Sequence, residues 1–228
     1  MQTSMVFSQL SWPGVGDIDD CWAVSSIQCV NVVAPQLRLV SVPTFRVAAG
    51  NPDQPGPTGG DLGDTVQGVE TLFPVFAGKL RKLRGWSWDD FVDRAKDHHP
   101  MSVSVINAKM PTRCRFGFNI PASYHRISVV VKADGHWLVA NPLAKPYSRW
   151  CKVNPAEIRD AVMAYGKARE GTRGVWAVSF PTDDQLEPAL DGLPDDLTPF
   201  DQEDIDSATA VLEARIKAAQ DALEGGTQ

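Results

Sequence analysis

The segment YHRISVVVKADGHWLVANPLA, residues 124–144, decides how this chain reads. His125 opens a Val-rich apolar run over 126–132, and a second run covers 136–141. Ala133-Asp134-Gly135 between them is a hairpin signal. Neighbouring antiparallel strands can present His125 and Asn141 on one face, because side chains alternate with period two. There the Asn141 carbonyl can accept an imidazole N–H and fix the tautomer of His125. Far upstream, DIDDCWAVSS at 17–26 places Cys21 at the start of a helix. A helix N-terminus and a nearby imidazolium both favour the thiolate. Thiol, imidazole and orienting amide are the parts needed for cysteine nucleophilic catalysis. Taken singly, each has a plainer reading: an inert buried Cys, a structural His, an Asn-Pro turn. Their order along the chain is what points to a site.

Asp17, Asp19 and Asp20 act on that thiol in two ways. They favour the helix N-terminus, and their negative charge disfavours a thiolate. CWAVSSIQCVNVV, residues 21–33, has apolar side chains at 22, 23, 24, 27, 30 and 33, which suits a largely buried helix that Pro35 stops. Residues 50–61 form a Pro/Gly loop, and a short helix follows from Leu62 to Leu72. Ser87 is an N-cap with Asp89 and Asp90 in the first turn of a helix that ends near His98-His99-Pro100. MSVSVIN, residues 101–107, alternates as a strand does. Asn154 with Glu157 forms a capping-box pattern, opening a helix to about Tyr165. RGVWAVSF, 173–180, reads as a last strand.

A helical first half and an antiparallel sheet in the second half give an α+β plan. Residues 1–180 form the main domain, and the Pro- and Asp-rich stretch 181–200 reads as a linker without regular structure. From 201 to 228, Ile205, Thr209, Leu212, Ile216, Ala219 and Leu223 fall at steps of four and three. That heptad seam reads as a coiled-coil or docking helix, with a helix folded back on its own domain as the alternative. It implies other subunits, or a second copy, as partners.

The 228 residues carry a net charge of −6, and 43% are apolar. No Lys/Arg cluster is large enough to neutralise nucleic-acid phosphates. The basic run KLRKLRG, 79–85, reads as a solvated face near a helix end. No run approaches the length of a membrane span, and the N-terminus lacks the pattern of a secretory signal. A chain made and kept in a reducing cytoplasm would hold Cys21, Cys29, Cys114 and Cys151 as thiols, the last three as small core or surface residues. Their spacing contains no CxxC, and His98-His99 has no third ligand at suitable spacing, so no metal or cofactor is expected. GPTGGDLG, 56–63, lacks the Lys-Ser/Thr of a phosphate loop. Trp22 and Trp137 are candidates for lining a substrate groove, with core packing as the alternative.

These residues resemble the papain-like cysteine peptidase superfamily, in which a Cys-bearing helix packs on an antiparallel sheet carrying His and Asn or Asp. The closer likeness is to its bacteriocin-leader-peptidase-like branch. Asp20-Cys21, His99-Pro100-Met101-Ser102-Val103-Ser104-Val105, His125 and Asn141-Pro142 match that branch in order, across roughly 8–180. The resemblance implies Cys21 as nucleophile, His125 as general base and then acid, and Asn141 as orienting group. Where the family has an oxyanion-hole Gln six residues before the Cys, this chain has Val15, and Gln9 is its nearest upstream Gln. The style also resembles peptidase domains of phage lysins and tail-tip proteins, which implies cleavage of host cell-wall peptide and a place in a virion or lysis system. The rival expectation is a structural or binding subunit of a virion tail on a peptidase-like scaffold. A third is acyl transfer to an amine instead of water.

Overall fold

A computed structural model describes residues 20–37, 40–51, 60–114, 124–142, 150–182 and 184–186. Its first helix, α1 (Cys21–Val33), has every residue buried. Its two serines are satisfied inside the protein: Ser26 Oγ donates to the Trp22 carbonyl at 2.6 Å, and Ser25 Oγ meets Ser102 Oγ at 2.7 Å. Two short helices follow, α2 (Val42–Ala48) and α3 (Leu62–Leu72). Asp61 and Asp64 form a capping box at the head of α3, satisfying its first amides.

The strands are β1 (Arg81–Trp86), β2 (Met101–Ile106), β3 (Tyr124–Val131), β4 (Trp137–Ala140), β5 (Cys151–Val153) and β6 (Val175–Ser179). They form one sheet in the order β1-β6-β2-β3-β4-β5, and every pairing is antiparallel. Helix α4 (Trp88–Lys96) starts at the Ser87 cap, and α5 (Pro155–Glu170) starts at the Asn154–Glu157 capping box. The α+β class, a buried N-terminal helix and an antiparallel sheet are as the sequence implies.

Side-chain alternation divides the core between the two faces of the sheet. On one face α1, α2 and α3 pack with Val178 and Phe180 around Trp22, Ile27, Phe45 and Phe76. On the other, α4 and α5 cover Val103, Val105, Ile127, Val129, Val131 and Val139. The middle strands are buried on both sides, which is why β2 and β3 are almost continuously buried.

Four readings change. The basic run 79–85 is no helix end: Arg81–Gly85 belong to β1, an edge strand paired with β6. Its inward side chain is Leu83, and its charges face solvent as edge strands favour. The sheet thus begins in the first half of the chain. Cys114 and Cys151 are not thiols; they form a disulfide. It ties the short 3₁₀ turn Thr112–Cys114 to β5. The α5 helix also runs to Glu170, past Tyr165. Within the stretch read as a linker, Leu186 is fully buried in the α1-side core, so the packed unit continues at least that far. The heptad segment 201–228 lies outside the described residues, as do Asp17, Asp19, Val15 and Gln9. Among the described residues, no helix is long and apolar enough to cross a membrane.

Candidate active site

His125 sits on the second residue of β3, opposite Val105 of β2. Asn141 follows β4 directly, one step beyond the Ser128–Ala140 pair. The hairpin therefore brings the two to one face, and His125 Nε2 donates to Asn141 Oδ1 at 2.7 Å. The amide is held in turn, since Asn141 Nδ2 donates to the Cys114 carbonyl at 3.0 Å. That carbonyl belongs to the residue locked by the disulfide to β5. Imidazole, amide, carbonyl and disulfide thus form one chain of support, buried at every protein side chain.

This arrangement fixes which nitrogen of His125 carries the proton. An amide oxygen accepts, so Nε2 is the donor and Nδ1 keeps its lone pair. Burial pulls the imidazole down from 6.5 to about 4, against a smaller opposing effect of the Asn141 bond. His125 is therefore neutral near pH 7. That is the state a general base needs, and it differs from the resting imidazolium the sequence reading invoked.

Cys21 is the first residue of α1 and is 8% exposed. Asp20 before it is fully buried and ion-paired with Arg46 Nη2 at 2.9 Å. Helix α1 lies on the face of the sheet that carries Ser102 and Ser128: Ser128 Oγ donates to the Ser25 carbonyl at 3.0 Å. Arg126, two residues before Ser128 on that face, is 5% exposed and interacts electrostatically with Cys21. So the structure joins His125 to Asn141 on the face of the sheet that carries Val105, Ile127 and Val139, and it sets Cys21 near Arg126 on the opposite face; the three candidate residues are not brought together. Sequence reasoning passed over Arg126. Its signal is a charged residue inside an otherwise apolar strand, RISVVV.

The two candidate groove tryptophans part company. Trp22 is 1% exposed, packs edge-on to Phe45 and lies against Gly60. Trp137 is 4% exposed in the opposite core, near Phe91. Cys29 is fully buried, which pushes its thiol far up and keeps it protonated. His98 and His99 each use Nδ1 on a backbone carbonyl, of Val131 and Phe180 respectively. Among the described residues no group of His, Cys, Asp or Glu could hold a metal ion.

No protein-family model matches this sequence, and no curated protein matches it significantly. Among solved structures, the chain is similar to a protein from Bacillus anthracis described as a C39-like peptidase. The TM-score is 0.52 at 13% identity, covering 80% of this chain and 98% of that one. The chain has a C39-like peptidase fold. The mixed helix and antiparallel sheet described above make up that fold. At this identity the likeness speaks to C39-like architecture alone.

Proposed function

We propose that this chain is a cysteine peptidase that cleaves an amide bond through Cys21, His125 and Asn141. The observation that carries the reading is the buried His125–Asn141 hydrogen bond at 2.7 Å in a C39-like fold, and the mechanism requires the start of β3 to turn so that His125 reaches the Cys21 face of the sheet. In this mechanism Nδ1 of neutral His125 takes the Sγ proton as sulfur attacks the carbonyl carbon. The C–N bond then breaks, and the imidazolium returns the proton to the departing amine, leaving a thioester on Cys21. Water, deprotonated by the same nitrogen, attacks the thioester and releases the acid. Asn141 holds the ring in one tautomer throughout. Backbone N–H groups at the head of α1 would stabilise the oxyanion, a role worth ~100–1000-fold per donor in rate.

The substrate fits a peptide, with host cell-wall peptide and a phage particle or lysis system as the setting the sequence style implies. The heptad segment 201–228 would dock the domain to other virion proteins or to a second copy. Transfer of the acyl group to an amine uses the same residues. Two observations favour the rival reading of an inactive scaffold: Cys21 and His125 stand on opposite faces of the sheet, and they are 8% and 4% exposed. Digestion of a proteome-derived peptide mixture, read by mass spectrometry of new termini, separates the two. New termini that vanish with Cys21→Ala support the peptidase. Termini that persist in that variant sink the mechanism, and none at all from the unaltered chain supports the scaffold.

A further inference from the structure

Two arginines are buried around the head of α1, and they differ in one respect. Arg46 has its carboxylate, Asp20, at 2.9 Å. Arg126 has one hydrogen bond, from Nη1 to the neutral hydroxyl of Thr65 at 2.6 Å, and no ion pair among the described residues. Tyr165 and Cys21 lie within electrostatic range of Arg126, and so, more weakly, do Asp61 and Asp64. The two carboxylates are committed to each other's amides and that of Gly63 in the α3 capping box. They soften the charge from a distance and leave the guanidinium without a contacting carboxylate. A guanidinium carries five donors in a planar fork suited to two carboxylate oxygens. Burying one without a contacting carboxylate is unfavourable, and an anion arriving from outside would complete the pairing.

The place of Arg126 says which anion. Ser128 bonds the carbonyl of Ser25. One helical turn back from Ser25 is Cys21, about 5.4 Å along the helix. Two strand residues back from Ser128 is Arg126, about 6.7 Å along β3. Both steps start from the Ser25–Ser128 contact, and Cys21 acts electrostatically on Arg126 at their far ends. Thr65 fixes one arm of the fork from α3, so the guanidinium is oriented before any ligand arrives.

We propose that Arg126 is a substrate-recognition residue whose guanidinium receives a carboxylate of the peptide presented to Cys21. Calling that peptide a substrate rests on the peptidase reading; the binding of a carboxylate at Arg126 does not. The carboxylate is either an acidic side chain or a free chain terminus, which share the same two-oxygen chemistry.

Three probes separate these sources on the full, unaltered chain: N-acetyl-glutamate α-amide (side-chain carboxylate), N-acetyl-glutamine (terminal carboxylate) and N-acetyl-glutamine amide (neither). Binding is followed by titration calorimetry and by the Arg126 Nε–H resonance. The expected result is that one or both acids bind at least tenfold more tightly than the neutral amide and shift that resonance. The preference falls at least tenfold in Arg126→Gln. Equal binding of all three probes, no binding of any, or an unmoved Arg126 resonance overturns the proposal. The resonance decides the matter even where Arg126→Gln fails to fold. An unreactive Cys21 beside a working carboxylate site defeats the peptidase reading alone, whereas a reactive Cys21 with no carboxylate preference defeats this proposal alone.

Discussion

Acid should destabilise this protein through His125 by an amount the structure sets. The imidazole is held near 4 in the folded chain and titrates near 6.5 when unburied. Between those values the unfolded chain binds the proton and the folded chain does not, so stability falls as pH falls. The full contribution of a neutral His125 is present above pH 6.5 and is lost progressively as pH drops to about 4. At 1.36 kcal/mol per unit the loss comes to about 3 kcal/mol. His99 is also lowered by burial and pulls in the same direction, so the useful quantity is a difference. His125→Gln keeps an N–H for Asn141 and has no titration of its own. Urea unfolding of both proteins at pH 7 and pH 4 gives the stability gap at each. The gap should move by about 3 kcal/mol in favour of the variant on acidification, with the other groups cancelling. A gap that stays constant would refute the burial argument, and with it the neutral general base.

Other outcomes follow from the same contacts. Asn141→Ala leaves a buried imidazole donor without its acceptor. It should cost about 1–3 kcal/mol of stability by calorimetry and lower peptide turnover more than substrate affinity. Cys114→Ser with Cys151→Ser opens a loop spanning 37 residues. On the chain-entropy relation this lowers stability by roughly 4 kcal/mol, and it should also loosen the Asn141–Cys114 contact, seen as faster exchange of the His125 Nε2 proton. Asp20→Asn strips the buried Arg46 of its charge partner, with an expected loss of about 3–5 kcal/mol in chemical denaturation. Gly60→Ala places a methyl into the Trp22 ring; a lower melting temperature and altered Trp fluorescence are expected, and unchanged values would contradict that packing.

Much of this fold is legible because strong local signals agree with burial. The 21–33 and 62–72 helices appear with the boundaries that their caps and Pro35 imply. The 101–107 and 126–141 strands alternate or run apolar as a doubly covered sheet requires. The edge strand β1 escapes the same reasoning, since only Leu83 among its six residues is buried and its charges imitate a solvated helix face. Helix α2 has seven residues, too few for a period to show. The disulfide joins residues 37 apart with no motif to announce it, and expecting a reducing compartment argued against it. Of the candidate site, the His125–Asn141 pair follows from hairpin register alone. What the sequence withholds is charge state and neighbourhood. Neutral His125 depends on the depth of the second core, and Arg126 beside Cys21 depends on how α1 lies across β3.

The most direct test of the peptidase reading is the rate of iodoacetamide alkylation of Cys21 at pH 7, followed by peptide mass spectrometry with Cys29 as the internal standard. An activated nucleophile predicts Cys21 labelled many-fold faster than Cys29, whose thiol burial holds protonated, and slowed at least tenfold in His125→Ala. Labelling of Cys21 no faster than Cys29, or a rate indifferent to His125, would contradict it and leave the C39-like fold here as a scaffold.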